Sequence, residues 1–94
     1  MRNAMIIDAK DNVAVVVEPI TAGDIVFWED LNGEKKQLAA QTDVPIYHKI
    51  AIRPILCGEK IVKYGEHIGE AACDIPAGTH VHVDNVRSVR EELA

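Results

Sequence analysis

The sequence predicts a small all-β domain. Its 94 residues are enough for one domain with one modest core. Apolar residues make up 48% of the chain and aromatic residues only 4%, so valine and isoleucine must fill most of the core, and these β-branched residues favour strands. A strand-turn-strand pattern that recurs four times gives the same indication. We therefore expect one domain, residues 1–94, built from strand-turn-strand arms.

The first elements are expected to be paired strands. Met5–Asp8 and Val13–Val17 are apolar runs separated by the polar residues 9–12, which predicts two strands joined by a turn. Asn32-Gly33 lies between two strand-like segments and predicts a two-residue hairpin. Trp28 is expected to pack on this hairpin, with an exposed interface anchor as the alternative.

The recurring pattern places an apolar residue, a turn residue and a second apolar residue at similar spacing. It occurs in Val17–Val26, Gln41–Ile50, Ile52–Ile61 and Cys73–Val81. The turn residue is glycine in three copies, Gly23, Gly58 and Gly78, and glycine adopts positive φ at little cost. In the second copy it is Tyr47, which predicts either mild strain or a turn of another type.

The last residues fit the start of a helix. Ser88 and Glu91 have the spacing of a capping box, so a short helix could begin within residues 88–94. This beginning suits a domain that continues into, or docks against, something larger. A frayed terminus is the alternative.

Charge and cysteine content exclude several classes of function. The formal net charge of −5 argues against a broad basic face for nucleic acid. The run Met1–Lys10 is too short and too interrupted by charge for a signal peptide or membrane span. We expect a cytoplasmic protein without membrane or nucleic-acid partners.

Cys57 and Cys73 are expected to be small buried hydrophobic residues, with a disulfide or a nucleophile as alternatives.

One segment near the C terminus concentrates groups that bind metals or move protons. His80, His82 and Asp84 alternate with valines, so a strand through them would carry all three on one face. Two imidazoles and a carboxylate could converge on a metal ion, although two ligands from one strand do not fill a coordination shell. The further candidates are water, a partner chain, His48, Glu66 and His67. The alternative is an ordinary solvated strand face.

Two turns offer candidate substrate contacts. His48 and Lys49 follow the turn of the second arm and are expected to point outward, where the lysine could hold a carboxylate. Lys63-Tyr64-Gly65-Glu66 is expected to form a tight loop. For Tyr64, core packing with a tethered hydroxyl and a catalytic role are both open.

These residues carry a resemblance to a known family. The motifs are Asp11–Val15, His48–Ala51, Ile61–Gly69 and His80–Asn85. In order and spacing they resemble the SAF domain of the altronate and galactarate dehydratases, which is N-terminal in those enzymes or a separate small subunit. The sulfolactate sulfo-lyase small subunit is similar. The resemblance extends from about Asp8 to Arg87 and is weakest across the hairpin around Trp28.

The resemblance implies a β-clip fold and a part in a hydro-lyase that dehydrates a sugar acid, altronate or galactarate, to a 2-keto-3-deoxy acid. It implies a divalent metal, Fe²⁺ or Mn²⁺, and a large dehydratase subunit or domain without which this chain would be inactive. The implied roles are catalytic for His48, His80 and His82, substrate-binding for Lys49, Lys63, Tyr64 and Glu66, and metal-binding for His80, His82 and Asp84.

Two positions depart from the family pattern. Tyr47 stands where the family usually has glycine before the His-Lys pair, and Asp84 stands where it often has histidine. Aspartate still suits a hard metal. Two rival functions remain: a non-catalytic module that recognises a sugar acid or a partner protein, and a structural lid or oligomerisation piece that could form a homo-oligomer.

Overall fold

The computed structural model describes residues 2–82 and 84–87, and all of its regular elements are β-strands. The strands are β1 (Ala4–Met5), β2 (Val13–Val16), β3 (Ile25–Glu29), β4 (Lys35–Ala39), β5 (Lys49–Ala51), β6 (Lys60–Lys63), β7 (Glu66–Ala71), β8 (His80–Val81) and β9 (Val86–Arg87). The all-β prediction is confirmed. The helix start predicted at Ser88 lies outside the described residues. No helix that could cross a membrane occurs in the described part of the chain.

The strands form three small antiparallel sheets. The largest has the order β1-β2-β5-β8, the second is the β3–β4 hairpin, and the third has the order β6-β7-β9. β1 and β2 pair as predicted, although the connection between them spans residues 6–12 and is longer than a tight turn. The central strand β5 pairs with β2 on one side and β8 on the other, so it links the N-terminal strands to the histidine segment.

The four predicted arms are present and associate in two pairs. Ile20 pairs with Val44 and Ile55 with Ile75, each as an isolated antiparallel bridge. A backbone hydrogen bond closes the turn of every arm. The third turn residue has positive φ in all four arms: 95° at Gly23, 67° at Tyr47, 87° at Gly58 and 86° at Gly78. Tyr47 therefore shares the backbone conformation of the glycines, and the strain alternative is the correct one.

The β3–β4 hairpin differs from the prediction. Residues 30–34 connect β3 to β4, so the two-residue hairpin predicted at Asn32-Gly33 is wrong. The Asp30 carboxylate accepts bonds from the amides of Asn32 and Glu34, both at 2.9 Å, and this stabilises the longer loop. The tight loop predicted at Lys63-Tyr64-Gly65-Glu66 is confirmed: Tyr64-Gly65 is a two-residue hairpin with φ of 56° and 76°, as in a type I′ turn.

The core consists of two apolar clusters. One includes Trp28, which is only 7% exposed, so the predicted packing is confirmed and the exposed anchor is wrong. The other surrounds Ile61 and Val81. Cys57 and Cys73 belong to neither cluster and are exposed free thiols, so their predicted burial is wrong. They occupy the bends and turns of the arms, and most of those residues face solvent.

Two buried asparagines hold the sheets together in the same way. The Asn3 backbone N–H donates to the Phe27 carbonyl, and the Asn3 side-chain Nδ2 donates to the Ile25 carbonyl. The Asn3 Oδ1 accepts from the Phe27 N–H, and the three bonds are 2.8 to 3.1 Å long. Asn12 makes the same three bonds to the backbone of residues 60–62, also at 2.8 to 3.1 Å. Each asparagine therefore joins the start of one strand to the edge of another, β1 to β3 and β2 to β6.

Candidate functional site

Three histidines from separate parts of the chain meet at one place. His48 ends the turn of the second arm, directly before β5, whereas His80 opens β8 and His82 follows it. Antiparallel pairing aligns Ile50 of β5 with His80 of β8, which brings the two segments side by side. His48 Nδ1 then lies 2.9 Å from His80 Nε2. We call His48, His80 and His82 the histidine trio.

The geometry of the trio suits a metal ion. The ring centroids are 4.9 to 5.2 Å apart, and one nitrogen from each ring lies within 4.8 Å of the others. Nitrogens bound to one tetrahedral metal at 2.0 to 2.1 Å are about 3.4 Å apart, so small side-chain rotations would complete three bonds. The trio therefore offers three imidazole ligands, a common protein metal-binding set.

Short hydrogen bonds fix the backbone that carries the trio. The His80 amide donates to Thr42 Oγ1, and the His82 amide donates to Asn85 Oδ1, both at 2.9 Å. The Asn85 side chain also donates to the His80 carbonyl at 2.9 Å. The Asn85 side chain thus forms hydrogen bonds with both ends of the segment from His80 to His82. Sequence reasoning placed Asn85 in a motif without a role and gave Thr42 no role, because both act through backbone contacts.

The environment of His80 favours its neutral form. Burial lowers the pKa of His80 first, and the positive charges that His48, His82 and Lys49 can carry lower that pKa further, whereas Asp84 partly opposes them. A neutral imidazole is the form that binds a metal or accepts a proton. His80 is thereby favoured in the form that either task needs.

The same effect predicts a pH dependence of folding. Because the folded pKa of His80 is below its unfolded value, the unfolded chain binds more protons once the pH falls through the unfolded pKa. The contribution of His80 to stability is thus neutral above about pH 6.5 and becomes unfavourable below it. We expect the urea midpoint of the metal-free chain to decrease as the pH is lowered from 7.5 to 5.5. In His80→Asn the midpoint should decrease less over the same pH range. An equal decrease in both proteins would contradict this prediction.

Lysines add positive charge beside the trio. Burial, followed by the nearby Lys63 ammonium, lowers the pKa of Lys49. The salt bridges found among the described residues, Lys36–Glu34 and Arg87–Glu70, involve neither lysine. Lys49 and Lys63 are therefore near each other, and no carboxylate of the described residues lies within salt-bridge distance of either, an arrangement that suits an anionic ligand.

Tyr64 and Glu66 lie around the β6–β7 turn next to Lys63. Tyr64 is 46% exposed and its ring centre is 5.2 Å from the Lys63 ammonium, so its predicted core packing is wrong. Glu66 is exposed and pairs with Lys63 in the strand register. The Gly65 amide donates to the buried Asp11 carboxylate at 2.7 Å, which fixes the turn. Asp11 is thus a supporting residue that sequence reasoning left without a role.

Asp84 does not lie on a strand with the two histidines. β8 ends at Val81 and Asp84 lies in the following turn, so the predicted continuous strand face is wrong. The close cluster is completed by His48 instead, and neither Glu66 nor His67 belongs to it. The Asp84 carboxylate still acts on His80 through its charge.

One groove of the described surface lies away from the trio. It has a volume of about 580 Å³ and runs along the β3–β4 hairpin, where Phe27, Trp28 and Lys36 are among its lining residues. None of the trio lines it. All three histidines are partly exposed, so a ligand bound to the trio would remain accessible to solvent or to another protein.

The fold and the site together define a small all-β domain with three partly exposed histidines and two half-buried lysines close together. The chain belongs to the family described as the altronate/galactarate dehydratase SAF domain, and the match covers residues 2–89. The predicted family and SAF fold are confirmed.

Relatives of two kinds are similar to this chain. It is 36% identical over 87 residues to altronate dehydratase of Escherichia coli strain K12, covering 93% of this chain and 17% of that protein. It is 39% identical over 85 residues to (2R)-sulfolactate sulfo-lyase subunit alpha of Chromohalobacter salexigens, covering 88% of this chain and 90% of that subunit. Altronate dehydratase of Bacillus subtilis is 34% identical over 88 residues, again 17% of that protein. The chain thus spans under a fifth of the dehydratases and most of a separate lyase subunit.

Proposed function

We propose that this chain is the small subunit or N-terminal domain of a metal-dependent hydro-lyase that dehydrates a sugar acid, of the altronate or galactarate type, to a 2-keto-3-deoxy acid. The observation that carries the proposal is the convergence of His48, His80 and His82 beside Lys49. Relatives named as dehydratase and lyase subunit support the same reaction class.

The trio would hold the metal, Fe²⁺ or Mn²⁺, with Asp84 as a further candidate ligand. The fit rests on two observations. One nitrogen from each ring lies within 4.8 Å of the others, and the pKa of His80 is lowered, which favours the neutral form that binds a metal. A bound metal would supply Lewis acidity to the substrate carboxylate or hydroxyl.

The remaining residues of the surface would bind the acid. Lys49 and Lys63 hold its carboxylate as point charges, since no salt bridge found in the described part of the chain engages them. Tyr64 and Glu66, both exposed beside Lys63, offer a hydroxyl and a carboxylate to the hydroxyl groups of a sugar acid.

Proton transfer would be divided between this chain and its partner. His80 or His82 would assist in one of two ways: as a ligand of the metal or, where it is not bound to the metal and carries a proton, by donating that proton to the hydroxyl that leaves as water. A base on the large subunit or domain removes the proton next to the carboxylate. The partial exposure of the trio leaves its rings accessible to that partner.

The proposal predicts activity only in the assembled enzyme. The isolated chain should not dehydrate altronate. A chimaera of the Escherichia coli altronate dehydratase, in which this chain replaces the matching segment, should do so, whereas the same enzyme without that segment should not. The measurement is the formation of the 2-keto acid. Turnover by the isolated chain would contradict the division of labour, and a chimaera no better than the truncated enzyme would contradict the role in the reaction.

A non-catalytic binding module is the second candidate, because the trio and lysines would also recognise an anion without chemistry. The same chimaera separates the two functions. If it assembles and loses no turnover when the trio is altered, the module function is favoured.

A further inference from the structure

Tyr47 is exposed in a backbone conformation that disfavours it. Its φ of 67° matches the positive φ of Gly23, Gly58 and Gly78 at the same position of the other three arms. Side chains with a Cβ adopt this region at a cost, and a bulky residue there is uncommon. Tyr47 is also 72% exposed, the highest value among the large apolar residues exposed in the described chain. The ring therefore gains little from packing within this domain.

The strained tyrosine lies in the arm that carries the trio. Its amide donates to the Val16 carbonyl at 2.8 Å, and the next residue, His48, closes the turn by donating to the Pro45 carbonyl at 3.0 Å. Ile46, directly before it, is 39% exposed. Both hydrogen bonds fix the backbone of the arm tip. The exposed side chains of Ile46 and Tyr47 form an apolar projection there, next to His48 of the histidine trio in the chain.

A residue that is costly to the fold and unsupported by packing points to a contact outside the domain. A sugar acid presents hydroxyl and carboxylate groups, which match the lysines and histidines better than this apolar tip. A protein surface can bury a tyrosine and an isoleucine, and tyrosine is enriched among residues that dominate binding energy. The matched segment is only 17% of the altronate dehydratases, so the remainder of such an enzyme is the protein surface expected beside this domain.

We propose that Tyr47 is a contact residue for the large lyase subunit or domain, which would bind the ring in an apolar recess. This inference rests on the proposed function and adds where the partner docks: on the tip of the second arm, at the edge of the trio. The projection thereby aligns the partner with the surface that it covers.

The test uses Tyr47→Gly and Tyr47→Ala. Glycine removes both the strain and the ring, whereas alanine removes the ring and keeps a Cβ. We expect Tyr47→Gly to raise the Tm of the chain by about 5 °C. We expect both variants to weaken association with the large lyase subunit or domain native to this chain, by at least about 10-fold in Kd. Leu56→Ala, at an exposed residue of the third-arm turn, is the matched control and should leave Kd unchanged.

Every outcome is informative. A lower Tm for Tyr47→Gly would show that the ring supports the fold and would overturn the inference. An unchanged Kd in both variants would also overturn it, as would an unchanged Kd with a raised KM for altronate in the assembled enzyme, which would assign Tyr47 to the substrate. If the wild-type chain does not associate at all, the proposed function fails with it.

Discussion

Replacing His80 by alanine is expected to lower the turnover of the assembled lyase by about 100-fold or more. His80 contacts both other members of the trio: its Nε2 lies 2.9 Å from His48 Nδ1 and its ring centre is 5.2 Å from that of His82. The alanine variant loses one ring nitrogen for a metal and one group for proton transfer. The measurement is kcat for altronate dehydration in the chimaera that carries this chain.

The matched control is His67→Ala. His67 is exposed on β7 and outside the trio, so it tests the same chemical change without the same neighbours. Manganese titration of the isolated chain provides a second measurement, and His80→Ala should weaken binding where His67→Ala does not. A kcat loss no larger in His80→Ala than in the control would contradict a catalytic role for the trio.

Association decides between the enzymatic and module functions. The backbone contacts of His80, through Thr42 and Asn85, do not involve its imidazole, so His80→Ala should keep the local fold. If the variant still binds the large part of the enzyme while kcat collapses, the trio acts in chemistry. If binding is lost as well, with the fold intact, the trio serves assembly.

The arms could be predicted because their signals are local. Gly23, Gly58 and Gly78 mark turns through their own φ preference, and the flanking apolar residues set the strand spacing. The position of Tyr47 followed from the same spacing. Its strain did not, because a turn of another type would have satisfied the same pattern.

The site was only partly predictable because its geometry is not local. His80 and His82 are neighbours in the sequence, so their proximity was expected. His48 joins them through the β5–β8 pairing, and no residue pattern in a single chain specifies which strands pair. The turn that displaces Asp84 depends on Asn85, whose side chain bonds back to residues 80 and 82.

Asn3 and Asn12, which each join two strands, occur in similar sequence contexts. Asn3 and Asn12 each stand directly before a strand, in Asn-Ala and Asn-Val-Ala contexts. Polar residues there suggest a turn, and that interpretation hides their role. In the structure they are 5% and 6% exposed and bond to distant strands, contacts that become visible only once the sheets are assembled.

Asn12→Ala is expected to lower the free energy of unfolding by about 2 to 4 kcal/mol. The change removes the bond from Nδ2 to the Lys60 carbonyl and the bond from the Val62 amide to Oδ1, both 2.8 Å long. Because Asn12 is buried, water does not readily replace them. Typical domains have about 5 to 15 kcal/mol in total, so the loss is large. Urea unfolding followed by circular dichroism measures it.

Two controls show whether the loss arises from this bond pattern. Asn3→Ala removes the equivalent pair of bonds to β3 and should cost a similar amount. Asn32→Ala alters an exposed loop residue that bonds through its backbone amide, so its effect should stay within about 0.5 kcal/mol. If Asn12→Ala costs no more than Asn32→Ala, the bond to β6 does not hold the sheets together. In that case β6 and the Lys63–Tyr64 turn would be positioned by the apolar packing around Ile61.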